Sequence, residues 1–318
     1  MPRTSYLVRI IYSRPGWIAT APLSYDGISK RGGNMKQLIL GLVLTIMSIG
    51  ELAAQNNQTY ADLVFPTEAL EGSAAIRKIG TVLAKPAGPG PFPAVVIMQT
   101  CSGATADQRE WGRRAVDRGY VALVVDSMAP RGVTSTSCNL PLSRRALDAH
   151  DAREQLKQLS YVDPARIGLM GFSVGANTAV AITTHLAQFT QVPSYTPFAA
   201  IVTFYGACVR RGQGGLEDVF KDSKPDAPLL MLIGGDDPQG RASECLPDLE
   251  RLKANGADVE WNVYPHATHC LDCEADSGTI ADNTIQGGRM PFTYNKAATA
   301  DAADRAFAFF ASRMGKAQ

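Results

Sequence analysis

One stretch constrains this chain more than any other: Arg166-Ile167-Gly168-Leu169-Met170-Gly171-Phe172-Ser173-Val174-Gly175-Ala176. A short apolar run leads into Gly-x-Ser-x-Gly, and small residues follow. A strand that ends on this pentapeptide and re-enters as a helix forms a nucleophile elbow. The turn is so tight that a Cβ at Gly171 or Gly175 would collide with the neighbouring strand or helix. It lifts the Ser173 hydroxyl above the sheet edge, at the N-terminus of the next helix, where the dipole favours an oxyanion. Gly and Ser are common in loops, so five letters alone are also compatible with a plain glycine-rich turn. Context separates the two readings. Ile167, Leu169 and Met170 read as a buried strand, and Ala176, Ala179, Val180, Ala181 and Ile182 read as a helix of small and apolar side chains.

The remaining chain is of ordinary globular composition, with 318 residues, 45% of them hydrophobic and 19% charged. A net charge of +1 gives no reason to expect a nucleic-acid surface. No internal repeat or long low-complexity segment is visible. Met35-Lys36 is followed by an apolar run from Gln37 to Gly50 and by small residues at Ala53-Ala54. A positive start, a short apolar run and a small-residue end make a secretory signal peptide over 35–54, with cleavage near Ala54. The run is short for a spanning helix, which needs about 20 apolar residues. Residues 1–34 would put that signal in the wrong place. Lys30-Arg31-Gly32-Gly33 can be encoded by a purine-rich, ribosome-binding run, so translation is expected to start at Met35 and residues 1–34 to be untranslated or disordered. The mature chain, 55–318, is expected to be a periplasmic or secreted single domain with no membrane attachment after cleavage.

Export changes how the six cysteines read: Cys101, Cys138, Cys208, Cys245, Cys270 and Cys273. An even count in an exported chain suggests disulfides, and six cysteines allow 15 pairings. Cys270-x-x-Cys273 has the spacing of a redox pair or half a zinc site. No second CxxC exists and no thioredoxin-like pattern surrounds it, so it reads as structural.

Strands are expected at 79–84, 94–98, 120–125, 198–204, 229–233 and 259–264, and at the elbow. Helices are expected at 107–118, at 144–159 with Ser143 as cap, after the elbow to about Gln188, at 246–254 and at 296–313. Residues 55–75 read as an extended lead-in. Strands that are continuous apolar runs and alternate with helices imply a parallel α/β sheet.

A serine nucleophile needs a base, and the base needs a carboxylate to orient it. On a strand–elbow–helix scaffold the order along the chain is Ser, then Asp or Glu, then His. Of four histidines, His150 precedes the elbow and His185 lies about three turns into the helix that leaves it. His269 sits in the loop after the strand 259–264, where a base can reach back over the elbow; His266 is the alternative. The turn Gly234-Gly235-Asp236-Asp237-Pro238 follows a buried strand and offers two carboxylates. An Asp-rich turn is also common for conformational reasons. One carboxylate is expected to orient the imidazole and the other to cap the turn. An oxyanion hole needs two backbone N–H groups. One comes from Val174; the other comes from the loop Gln99-Thr100-Cys101-Ser102-Gly103, at Cys101 or its neighbour.

These blocks, together with Trp111 to Asp126, Ala129-Pro130-Arg131-Gly132, Val162 to Ser173, Phe204-Tyr205-Gly206, Leu232 to Asp237 and Val263-Tyr264-Pro265, resemble the dienelactone hydrolase family over roughly 78–312. The resemblance implies the α/β-hydrolase fold, a mostly parallel central sheet with helices on both faces. It puts the acid three residues after the glycine that ends the strand, on Asp237, and the base on the last histidine of its loop, His269. Three departures stand out. Gln99-Thr100 replaces a common His-Gly before the oxyanion loop, Cys270 replaces a common Gly after the base, and Ser173 replaces the cysteine nucleophile of the namesake enzymes. The resemblance therefore implies a broader hydrolase of carboxyl esters or lactones of small molecules, needing no metal or organic cofactor. Cys208 and Cys245, which follow the flanking strands near the acid loop, are expected to pair. A peptidase or a carbohydrate deacetylase on the same fold is the alternative within enzymes. A non-catalytic exported binding or redox protein using Cys270-x-x-Cys273 is the alternative outside them.

Overall fold

Continuous apolar runs form the centre of the molecule, as strands covered on both faces require. In the computed structural model the main sheet contains β1 (Ala61–Phe65), β2 (Ile79–Ala84), β3 (Phe92–Met98), β4 (Val121–Asp126), β5 (Val162–Phe172) and β6 (Ile201–Phe204). A small hairpin, β7 (Val209–Gly212) with β8 (Gly215–Asp218), intervenes before β9 (Leu229–Gly234) and β10 (Val259–Tyr264) complete it. A second hairpin, β11 (Ile280–Asp282) with β12 (Arg289–Pro291), follows. Residues 61–65, 79–134, 138–190, 196–212, 215–221, 223–282 and 288–316 are described. They belong to one unit, Gln55–Gln318. The expected leader, 35–54, and the preceding 1–34 lie outside the described residues, as does the side chain of His185.

The strand order is β1-β2-β4-β3-β5-β6-β9-β10. From β4 to β10 every neighbour is parallel, and only β2 runs against its neighbours. Among the described residues five α-helices accompany the strands: α1 (Ala106–Asp117), α2 (Leu142–Leu156), α3 (Val174–Thr190), α4 (Ala242–Ala254) and, after the last strand, α5 (Lys296–Met314). The pleat sends alternate side chains to opposite faces. Ala94, Val96 and Met98 of β3 join a core with α2, α3 and α4. Val95 and Ile97 join one with α1 and α5. This is the expected mostly parallel sheet with helices on both faces.

Differences from expectation are local. Helix α2 starts at Leu142 with Pro141 at its cap position, so Ser143 lies inside the first turn. Proline suits a helix start because the first N–H groups have no intrahelical partner. Helix α4 begins four residues earlier than expected, and the extended lead-in contains β1, which pairs antiparallel with β2. Among the described residues no helix is long and apolar enough to cross a membrane.

Candidate active site

Strand β5 ends at Phe172 and α3 begins at Val174, leaving Ser173 alone at the turn with φ of +52°. A non-glycine residue in the left-handed region is held there against its own sterics. The holding contacts are visible. Ser173 N–H donates to the Phe204 carbonyl at 3.1 Å, and Asn177 N–H donates to the Ser173 carbonyl at 3.0 Å. A Cβ on Gly175 would lie 2.5 Å from the Met98 carbonyl oxygen and 2.6 Å from that of Gln99; one on Gly171 would enter the Gly175 carbonyl. Both glycines are therefore dictated by backbone packed against backbone.

His269 follows β10 in a loop that folds back over the elbow, and it is only 3% exposed. Its Nε2 lies 2.9 Å from Ser173 Oγ, and its Nδ1 lies 2.8 Å from Asp237 Oδ2. An ionised carboxylate can only accept, so in the neutral imidazole Nδ1 carries the proton and Nε2 presents its lone pair to the serine hydroxyl. Asp237, 2% exposed, is held in turn: its Oδ1 accepts the Gln239 N–H at 2.8 Å. The Tyr205 ring meets the imidazole edge-on, with centroids 4.9 Å apart, and Phe292 stands 6.0 Å away on another side. The other two candidates, Asp236 and His266, find each other instead. His266 Nδ1 is 3.3 Å from Asp236 Oδ2, with side chains 89% and 58% exposed, away from Ser173.

Ser173 opens into a cleft of about 460 Å³ that Val174, Cys101, Thr100 and His269 also line. Val174 and Cys101, the residues expected to supply the oxyanion donors, are both among that lining. Gln99, at the start of the oxyanion loop, is not among the residues that line the cleft. It is fully buried, and its amide donates to the Val125 carbonyl at 2.9 Å and accepts from Ser127 N–H at 3.2 Å. It thereby joins the end of β3 to the end of β4. Two other surface depressions, lined by Lys221 and Arg251 and by Lys253 and Glu260, lie away from this constellation.

The cysteines pair as Cys101–Cys138, Cys208–Cys245 and Cys270–Cys273. The second is the expected pair, and it joins the chain after β6 to α4 on either side of the acid loop. Two groups of possible metal ligands occur nearby: Cys270, Asp272 and Cys273, and Asp107, Cys273 and Asp276. Both include sulfur committed to a disulfide, so neither has a thiolate to bind a metal.

Sequence reasoning passed over Asp272. It is buried inside the Cys270–Cys273 loop, and its Oδ2 accepts from Trp111 Nε1 at 2.6 Å. Burial raises its carboxyl above the ordinary range, opposed by hydrogen bonds from Trp111 and Tyr205. Burial likewise drives the Tyr205 phenol well up. Asp272 thus ties the loop that bears His269 to α1 and to the end of β6. A carboxylate between two cysteines has no periodicity by which to announce such a contact.

Residues 79–314 match the family model described as the dienelactone hydrolase family. A Methylorubrum extorquens protein named as a carboxymethylenebutenolidase is 28% identical over 207 residues, spanning 60% of this chain and 67% of its own. Among solved structures, a Klebsiella pneumoniae chain named as a dienelactone hydrolase superposes with a TM-score of 0.63 at 20% identity, covering 80% of this chain and 99% of its own. Thermogutta terrifontis esterase 2, in a form phosphorylated by paraoxon, superposes with a TM-score of 0.58 at 15% identity, covering 83% and 97%. The fold is that of the α/β-hydrolases. The chain belongs to the dienelactone hydrolase family, and it is a hydrolase acting on ester bonds.

Proposed function

We propose that this chain is an exported serine hydrolase that opens carboxyl esters or lactones of small molecules through an acyl-enzyme. The observation that carries the reading is the continuous chain Ser173 Oγ–His269 Nε2–His269 Nδ1–Asp237 Oδ2, with links of 2.9 and 2.8 Å, at the floor of an open cleft. Ser173 Oγ attacks the carbonyl carbon as its proton passes to His269 Nε2. The N–H groups of Val174 and Cys101 receive the oxyanion. Collapse breaks the bond to the leaving alkoxide, which takes the proton from His269. A water then repeats the sequence on the acyl-enzyme, releasing the acid and restoring the serine. Asp237 keeps the imidazole in the working tautomer and stabilises the imidazolium. The relative named as a carboxymethylenebutenolidase supports a lactone or ester as substrate.

A fluorophosphonate probe tests the mechanism, because it labels only an activated hydroxyl. Label on the peptide containing Ser173, lost in Ser173→Ala together with hydrolysis of a short-chain aryl ester, is the expected result. Full activity in Ser173→Ala would reject the mechanism. Export is supported by the leader pattern at 35–54 and by the absence of free cysteines among the described residues, since disulfides persist in oxidising compartments. Protein recovered from the periplasm or medium is expected to begin near Gln55.

A further inference from the structure

The cleft beside Ser173 is electrically one-sided. Among its described lining residues the carboxylate Asp276 is present, and no Lys or Arg is. Asp276 is not isolated. A carboxylate oxygen of Asp276 and one of Asp107 lie within 4.8 Å of each other, and the Asp276 charge helps to raise the Asp107 carboxyl, after burial and Asp272. Neither acid forms an ion pair among the described residues. The nearest strand cation in sequence, Arg289, does not redress this. It is exposed and is not among the residues that line the cleft. The segment 283–287, which joins β11 to β12, contains no charged residue, and neither does 135–137 beside Cys138. The rest of the lining is apolar or neutral: Ile280, Ala281, Met290 and Phe292 form one wall, and Ile280 is half exposed into the opening.

A like charge brought beside a carboxylate is repelled, and no Lys or Arg stands among the described lining residues to receive it. We infer that Asp276, backed by Asp107, determines specificity by excluding substrates that carry an anionic group next to the scissile ester. The substrates of this site are neutral, largely apolar esters or lactones, with amine-bearing ones accepted. This rests on the serine-esterase reading above. It also separates the chain from relatives whose name, carboxymethylenebutenolidase, implies a carboxylate on the substrate.

Three aryl acetates test it, matched in size and differing at the para position: a carboxylate, a carboxamide and an aminomethyl group. Each kcat/KM is divided by the uncatalysed hydroxide rate to remove leaving-group effects. The carboxamide is expected to exceed the carboxylate by about tenfold or more, the size that one nearby like charge commonly imposes. The aminomethyl ester is expected at or above the carboxamide. High salt is expected to narrow the gap. Because each ratio is taken within one preparation, Asp276→Asn can be read even if its total activity falls: its carboxamide-to-carboxylate ratio is expected to shrink at least about threefold, and that of Asp276→Lys to shrink further or invert. Equal rates on carboxamide and carboxylate in the natural protein, with Ser173 still labelled by the fluorophosphonate, would overturn this inference alone. An unchanged ratio in both variants would also overturn it. Absence of hydrolysis on all three esters with no label on Ser173 would overturn the esterase reading and this inference with it.

Discussion

A serine hydroxyl is a weak nucleophile at neutral pH, and only a base held on line with it changes that. Two His–Asp pairs occur within four residues of each other here, and their surroundings distinguish them. His269 and Asp237 are nearly excluded from water, 3% and 2% exposed, and they face Ser173; His266 and Asp236 lie on the surface. Asp237→Asn is expected to lower kcat by about 10³–10⁴-fold with little change in folding, because an amide there favours the wrong tautomer. Asp236→Asn and His266→Ala are each expected to change kcat/KM by no more than about twofold, as for an exposed ion pair. Steady-state rates on one aryl ester settle both expectations. Ser173, His269 and an acid at Asp236 or Asp237 were legible in the sequence because the chemistry demands those residue types in one order along the chain; order cannot separate two adjacent aspartates, and only the family resemblance pointed to Asp237. Gln99 shows where that logic stops. Its place in the oxyanion loop suggests a group facing the cleft, but its partners are a carbonyl and an amide group at the end of β4, which no spacing reveals.

Elements built from continuous apolar runs were legible almost to their ends, since burial on both faces leaves few other residue types possible. The short hairpins β7–β8 and β11–β12 were not, because three or four polar or mixed residues carry no usable period. Helix α2 conceals more. Its apolar side was visible at Leu147 and Leu156, but Arg144, Arg145, Asp148 and Arg153 are buried on it as well. Asp148 accepts both branches of the Arg131 guanidinium, at 2.7 and 2.9 Å, which joins the turn after β4 to the helix. Such a partner becomes apparent only once the chain has folded. The Cys208–Cys245 bond works at the same scale. It closes a separation of 37 residues that contains β9 and the acid loop. Replacing both cysteines by Ala is expected to lower unfolding stability by about 2–4 kcal/mol, read by chemical denaturation. Because both residues are fully buried away from Ser173, the remaining folded fraction is expected to retain normal KM.

For the whole molecule, the buried carboxyl of Asp272 links stability to pH. Burial raises its folded-state pKa above the unfolded value. Its contribution is therefore most favourable below the unfolded value of about 4 and is lost as pH rises through the raised folded value. Asp272→Asn retains an acceptor for Trp111 and removes the charge. The variant is expected to show a flatter dependence of Tm on pH from about 4 upward than the natural protein, measured by thermal unfolding across buffers. Cys101–Cys138 and Cys270–Cys273 both border the Ser173 cleft, one on the oxyanion loop and one on the loop that follows His269. Two walls of the site are thus fastened by disulfides. Before those bonds close, a newly made chain would possess every reacting group and lack the frame that aligns them. A preparation made under reducing conditions is expected to understate the enzyme until it is oxidised. Titrating such a preparation with a fluorophosphonate before and after oxidation is expected to show the reactive fraction rising.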